Sequence, residues 1–152
     1  MQTFLPYTNF IKVARTLDPK RLGKQRVEAK QILDILEGRN PDSRWRHHVA
    51  VRMWKGYEQA LRSYYNTMII VWEHKGNKNN MPILPVNNVV YPPWLYDKRL
   101  PLSHRGNLLR KNPEYYGEFE WKDADPTAPY FWPVPLKDKK KQEIMVSYWG
   151  EN

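Results

Sequence analysis

Apolar positions in the first half of the chain recur at helical spacing. Phe10, Val13, Ala14 and Leu17 share one face, with Thr8 or Asn9 available as a cap, which predicts a short first helix. Asp18-Pro19 reads as an N-cap followed by proline in the first helical position, where the missing N–H costs nothing. A second helix is predicted from Pro19 to about Glu37, ended by Gly38, with Leu22, Ala29, Ile32, Leu33 and Leu36 as its buried stripe. After the polar turn GRNPDSR (38–44), Met53, Trp54, Tyr57, Leu61, Tyr64, Met68 and Trp72 keep close to a 3.6-residue period. That spacing predicts one long helix from about 45–48 to Lys75, kinked or closely packed at Gly56.

Beyond Gly76 the pattern changes. GNKNNMPILPVNNVVYPPWLYDKRLP is rich in proline and asparagine and is expected to be extended. Ser103 is expected to cap a short helix, HRGNLLRK (104–111), anchored inward by Leu108 and Leu109 and closed by Asn112-Pro113. Residues 113–136 mix aromatics with prolines and read as a strap over the helices, followed by the basic run KDKKK (137–141). No internal repeat or domain break is visible. The expectation is an all-α fold: one compact domain over residues 1–152, with a long central helix and an irregular Pro/aromatic-rich C-terminal strap.

Composition adds a partner to this picture. The chain has 152 residues, 41% hydrophobic and 14% aromatic, enough to bury a core. Its 25 Lys and Arg against 16 acids leave a net charge of +9, which favours a polyanion, nucleic acid above all. No apolar run approaches the ~18 residues of a transmembrane span, and MQTFLPYTNF lacks the make-up of a signal peptide, so no membrane association and an intracellular location are expected. The absence of cysteine excludes disulfides, thiolate catalysis and zinc–cysteine sites.

Three clusters carry candidate chemistry. In RLGKQRVE (21–28), Arg21, Lys24, Gln25 and Glu28 fall on one helical face. Spacing alone leaves two readings open there: a solvated face with a Lys24–Glu28 pair, or a phosphate grip with one acid. In RWRHHVAVR (44–52), Arg44 and Arg46 suit phosphate oxygens, His47 or His48 a base or sugar, and Trp45 either a base or the core. Adjacent histidines point about 100° apart on a helix, which speaks against a two-histidine metal site. In SHRGNLLRK (103–111), a helix N-terminus beside His104 and Arg105, with Arg110 and Lys111 in the last turn, suits phosphate. No Ser/His/Asp arrangement, triphosphate-binding loop or paired-metal carboxylate cluster stands out, so neither a metal nor a cofactor is expected. An amine attacking the sugar C1′, assisted by one carboxylate, remains available.

TFLPY, LDPKRLGKQRVEA, RWRHHVAVRMWKGYEQAL, SHRGNLLRKNPEYYG and PYFWP together resemble the pyrimidine-dimer DNA glycosylase (phage endonuclease V) family, and most closely its bacterial and viral branch. The resemblance implies an all-α domain that binds duplex DNA, kinks it and flips a nucleotide out of the stack; a monomer is expected. It also implies an N-terminal α-amine as nucleophile with a glutamate of the second helix assisting. Carried onto this chain, Glu28 is the acid/base and Met1 supplies the amine, while Arg21, Lys24 and Arg26 clamp phosphates and His48 lines the DNA face beside Arg46. Here Gln2 follows Met1 where the phage enzyme has threonine, and Val27 separates Arg26 from Glu28 where that enzyme has Arg and Glu adjacent. The function implied is a base-excision glycosylase, with or without AP-lyase activity. The alternative is a non-catalytic DNA- or RNA-binding protein or a virion structural protein.

Overall fold

The computed structural model describes residues 1–134; the basic run 137–141 lies outside them. Among the described residues the regular structure is helical: six α-helices and one 3-10 turn, without a strand. Helix α1 (Phe10–Thr16) starts where Asn9 accepts the Lys12 N–H at 3.0 Å. Helix α2 (Pro19–Leu36) starts where Asp18 accepts the Arg21 N–H at 3.3 Å, with Pro19 at the first position. It stops at Gly38, whose φ of +83° lies in the left-handed region glycine adopts without strain.

The single long helix expected over 45–75 is instead two. Helix α3 (Val49–Arg52) is one turn capped by His48, whose side chain accepts the Ala50 N–H at 3.0 Å. Helix α4 (Glu58–His74) begins after Gly56, whose φ of +88° no α-helix accommodates. Met53 and Trp54 are buried all the same, so the apolar period survives a break in the backbone.

The helix expected to start at Ser103 also differs. After a 3-10 turn (Pro93–Tyr96), helix α5 (Arg99–Lys111) begins where Asp97 accepts the Arg99 N–H at 3.0 Å. Pro101 sits in its first turn, where a missing N–H breaks no bond. Ser103 is therefore inside the helix, and its hydroxyl accepts the Phe131 N–H at 2.6 Å. Helix α6 (Pro113–Gly117) follows directly, capped by Asn112.

The described residues group into two compact units: Met1–Phe4 with Asn9–Pro92, and Leu5–Thr8 with 93–134. In the first, Leu22, Ala29, Ile32 and Leu33 of α2 pack among Leu61, Tyr64 and Met68 of α4 and Val13 and Ala14 of α1, all fully buried. Phe10 meets Tyr64 and Trp54 edge-on, with ring centroids at 5.3 and 6.5 Å. Gly23 lets Trp72 approach: a Cβ there would stand 3.0 Å from the indole. The stretch after α4 is extended, as its composition predicts, and side chains of α4 hold it. Asn66 brackets Leu84, accepting its N–H at 2.9 Å and donating to its carbonyl at 2.8 Å, and the Tyr65 hydroxyl donates to Pro82 O at 2.6 Å.

In the second unit, the aromatic strap packs on α5: Phe131 and Trp132 are buried and Arg99 lies 4.5 Å from the Phe131 ring centre. Gly106 is pressed against the backbone carbonyl of Asp125, leaving no room for a Cβ. Tyr116, Phe119 and Trp121 stack with interplanar angles of 16–26°. No described helix is long and apolar enough to cross a membrane.

Candidate active site

The first residues of the chain are extended; α2 and α4 take up their backbone polar groups, and the α3–α4 turn bonds the Thr3 hydroxyl. The Gln2 N–H donates to Glu28 Oε2 at 2.6 Å. One turn back on α2, the Gln25 side-chain amide bridges two residues, donating to Gln2 O at 3.0 Å and accepting the Phe4 N–H at 3.0 Å. The Tyr64 hydroxyl lies 2.6 Å from Gln25 Oε1 and 2.8 Å from Phe4 O, sharing its single proton between them. Trp54 Nε1 donates to Thr3 Oγ1 at 3.0 Å. Thr3, Gln25, Tyr64 and Trp54 are fully buried, whereas Met1 and Glu28 are half-buried and open to solvent. A rigid clamp thus holds the N-terminus beside one accessible carboxylate.

Successive backbone nitrogens stand no more than roughly 3.7 Å apart, so the Met1 amine lies within roughly 6 Å of Glu28 Oε2, a distance one water spans. The carboxylate acts on its surroundings too. The Tyr64 phenol is held well above its usual pKa, first by burial and then by the negative charge of Glu28. Tyr64 therefore stays neutral and serves as a positioning hydroxyl.

The candidate cations differ in exposure and in the contacts they make. Lys24, on the Glu28 side of α2, is exposed, whereas Arg21 is turned onto Asp18 with Nη1–Oδ1 at 3.1 Å. Arg26 leaves that face altogether. Its guanidinium lies 4.4 Å from the Trp72 ring centre and donates to Asn79 Oδ1 at 2.6 Å, and burial lowers its pKa. It fastens the segment after α4, so Arg26 and Glu28 are not brought together. Arg44, Arg46 and His47 are exposed ahead of α3, and Arg44 lies 5.3 Å from the Trp45 ring centre. His48 is half-buried; because its Nδ1 accepts the Ala50 N–H, its proton sits on Nε2.

In the second unit, His104 corrects the sequence expectation: it is fully buried, so it offers no surface to a phosphate. Its Nδ1 accepts the Leu5 N–H at 2.8 Å, and burial, then Lys111, lower its pKa to about 3. Arg105 lies in mid-helix, 3.6 Å from Asp123 and 5.5 Å from the Tyr7 ring centre. Without the expected cap at Ser103, the helix-terminal phosphate site goes as well. Arg110 and Lys111 are exposed at the far end of α5. Among the described residues no three metal-ligating side chains come together.

Sequence reasoning grouped Gln25 with the charged face and overlooked Thr3, Trp54 and Tyr64 as clamp residues. One signal was available. Leu22, Gln25 and Ala29 follow the stripe's own i, i+3, i+7 spacing, which marks position 25 as core.

The family model for pyrimidine dimer DNA glycosylases matches residues 1–84, which contain every residue of the clamp and Glu28. No curated protein and no solved structure matches the chain significantly.

Proposed function

The chain belongs to the pyrimidine dimer DNA glycosylase family, and from that premise we propose that it excises a damaged or modified base from duplex DNA through its N-terminal amine. The observation that carries this reading is the 2.6 Å contact between the residue-2 nitrogen and Glu28. The amine of Met1 forms a bond to C1′ of a flipped-out nucleotide, and the base departs with the glycosidic electron pair and takes up a proton. Glu28 removes a proton from the attacking nitrogen, and opening of the sugar ring leaves an imine joining protein and sugar. Loss of the C2′ proton from that imine expels the 3′ phosphate, which is the AP-lyase step. If Met1 is cleaved off, the new α-amine is the Gln2 nitrogen, already in contact with Glu28.

Lys24, Arg44 and Arg46 are exposed and serve as phosphate contacts in the first unit, with Arg110 and Lys111 in the second. The protein acts as a monomer and needs no cofactor.

Borohydride trapping on duplex oligonucleotides carrying a pyrimidine dimer or an abasic site tests the reading. A covalent adduct that peptide mapping assigns to the N-terminal residue, and that Glu28→Gln abolishes, is expected. Salt-dependent binding with no adduct on either substrate, unchanged in Glu28→Gln, would return the chain to a non-catalytic nucleic-acid-binding role.

A further inference from the structure

We propose that the outer seam between α1 and α4 docks the apolar face of a short acidic amphipathic helix from a partner protein. The seam forms a cavity of about 510 Å³, floored by Ile11, Ile70 and Val71 and rimmed by Arg15, His74 and Lys75. Ile11 and Ile70 are 50% and 59% exposed, on helices whose opposite faces bury Phe10, Val13, Leu61 and Met68. Core packing therefore gives no reason for isoleucine at either position.

The rim states the partner's charge. Arg15, His74 and Lys75 are exposed, none pairs with a carboxylate among the described residues, and no acid lines the cavity. Cations in a last helical turn also suit the helix dipole, but that accounts only for the rim, not for the two isoleucines between. Duplex DNA, the other polyanion this protein meets, presents hydrated phosphates and sugars that gain nothing from an aliphatic floor. An acidic amphipathic helix satisfies both halves, with leucine or phenylalanine on the floor and carboxylates on the rim.

The dimensions agree. Thr67, Ile70, Val71 and His74 lie on one face of α4, and the stretch from 67 to 74 is roughly 10 Å long at 1.5 Å per residue. That accommodates two turns of a partner helix, anchored at i, i+3 or i+4, and i+7.

Titration of the isotope-labelled full chain with acidic amphipathic peptides of about 15 residues, some with leucine and some with phenylalanine anchors, tests this by amide chemical shifts. Shift changes centred on residues 11–15 and 67–75 are expected, with affinity falling as salt rises. Ile70→Asp, at an exposed position, is expected to fold normally, keep its activity on DNA and bind the peptide at least ~10-fold more weakly; Arg15→Glu with Lys75→Glu is expected to do the same. Absence of shifts at the seam with every peptide overturns the proposal. So does unchanged affinity in Ile70→Asp, an equal response to dodecanoate alone, or concentration-dependent dimerisation that Ile70→Asp abolishes.

Discussion

The carbonyl and nitrogen of Gln2 are held by two side chains one turn apart on α2: Gln25 takes the carbonyl at 3.0 Å and Glu28 the nitrogen at 2.6 Å. Gln25 is fully buried and fixes where the N-terminus lies. Glu28 is half-buried and reaches solvent. Under the proposed function the pair separates holding from chemistry, and the two parts are expected to respond differently to substitution.

Gln25→Leu keeps the side-chain volume but leaves the Gln2 carbonyl and the Phe4 N–H without their buried partner. An unsatisfied buried group costs about 1–3 kcal/mol, so a loss of about 3 kcal/mol is expected in urea unfolding. A change below about 0.5 kcal/mol, the range of neutral surface substitutions, would show that the clamp does not hold the terminus.

Glu28→Gln retains an acceptor for the Gln2 N–H and is expected to melt within a few degrees of the wild type. Its single-turnover rate is expected to fall by about 10²–10⁴, the usual contribution of a positioned acid/base. Equal losses of rate and stability would mark Glu28 as structural only.

Gly56→Ala places a β-carbon at a φ of +88°, with open space around it. The cost is backbone strain alone, about 1 kcal/mol. Gly117→Ala, also in open space but without positive φ, serves as the control. A thermal melt that ranks the two alike would contradict the turn between α3 and α4.

Lys24→Ala and Arg46→Ala are each expected to reduce the salt dependence of DNA binding by about 0.9 in log–log slope, one phosphate contact apiece. Arg26→Ala is expected to leave that slope alone and to lower stability, because its guanidinium serves Trp72 and Asn79. Slopes from fluorescence anisotropy at several salt concentrations separate the two classes.

Acid is expected to destabilise the second unit through His104. The imidazole titrates near 3 in the fold against an ordinary 6.5, so the unfolded chain binds a proton that the folded chain refuses. Its stabilising contribution is complete above pH 6.5 and falls as pH drops toward 3, by about 1.4 kcal/mol per pH unit at most. Denaturant midpoints at pH 7.5 and pH 4.5 are expected to converge in His104→Gln relative to the wild type. A wild type equally stable at both would refute the assignment.

The sequence by itself determined what depends on neighbours along the chain. Asn9 and Asp18 cap their helices, Pro19 and Gly38 bound α2, and the stripe from Leu22 to Leu33 is buried, because caps and amphipathic periods act within a few residues. Its motifs also carried the family, which the match over residues 1–84 establishes. Tertiary structure decided what depends on distant partners. Periodicity could not see that Gly56 takes a positive φ, since Met53 and Trp54 stay buried on either reading. The family resemblance placed Arg26 among the phosphate grips, but Trp72 and Asn79, remote in sequence, claim its guanidinium. His104 looked like a surface ligand until Leu5 supplied its hydrogen bond and the fold its burial. The contact between Gln2 and Glu28 spans 26 residues, and Gln25, Tyr64 and Trp54, from three separate parts of the chain, converge on the same short N-terminal segment.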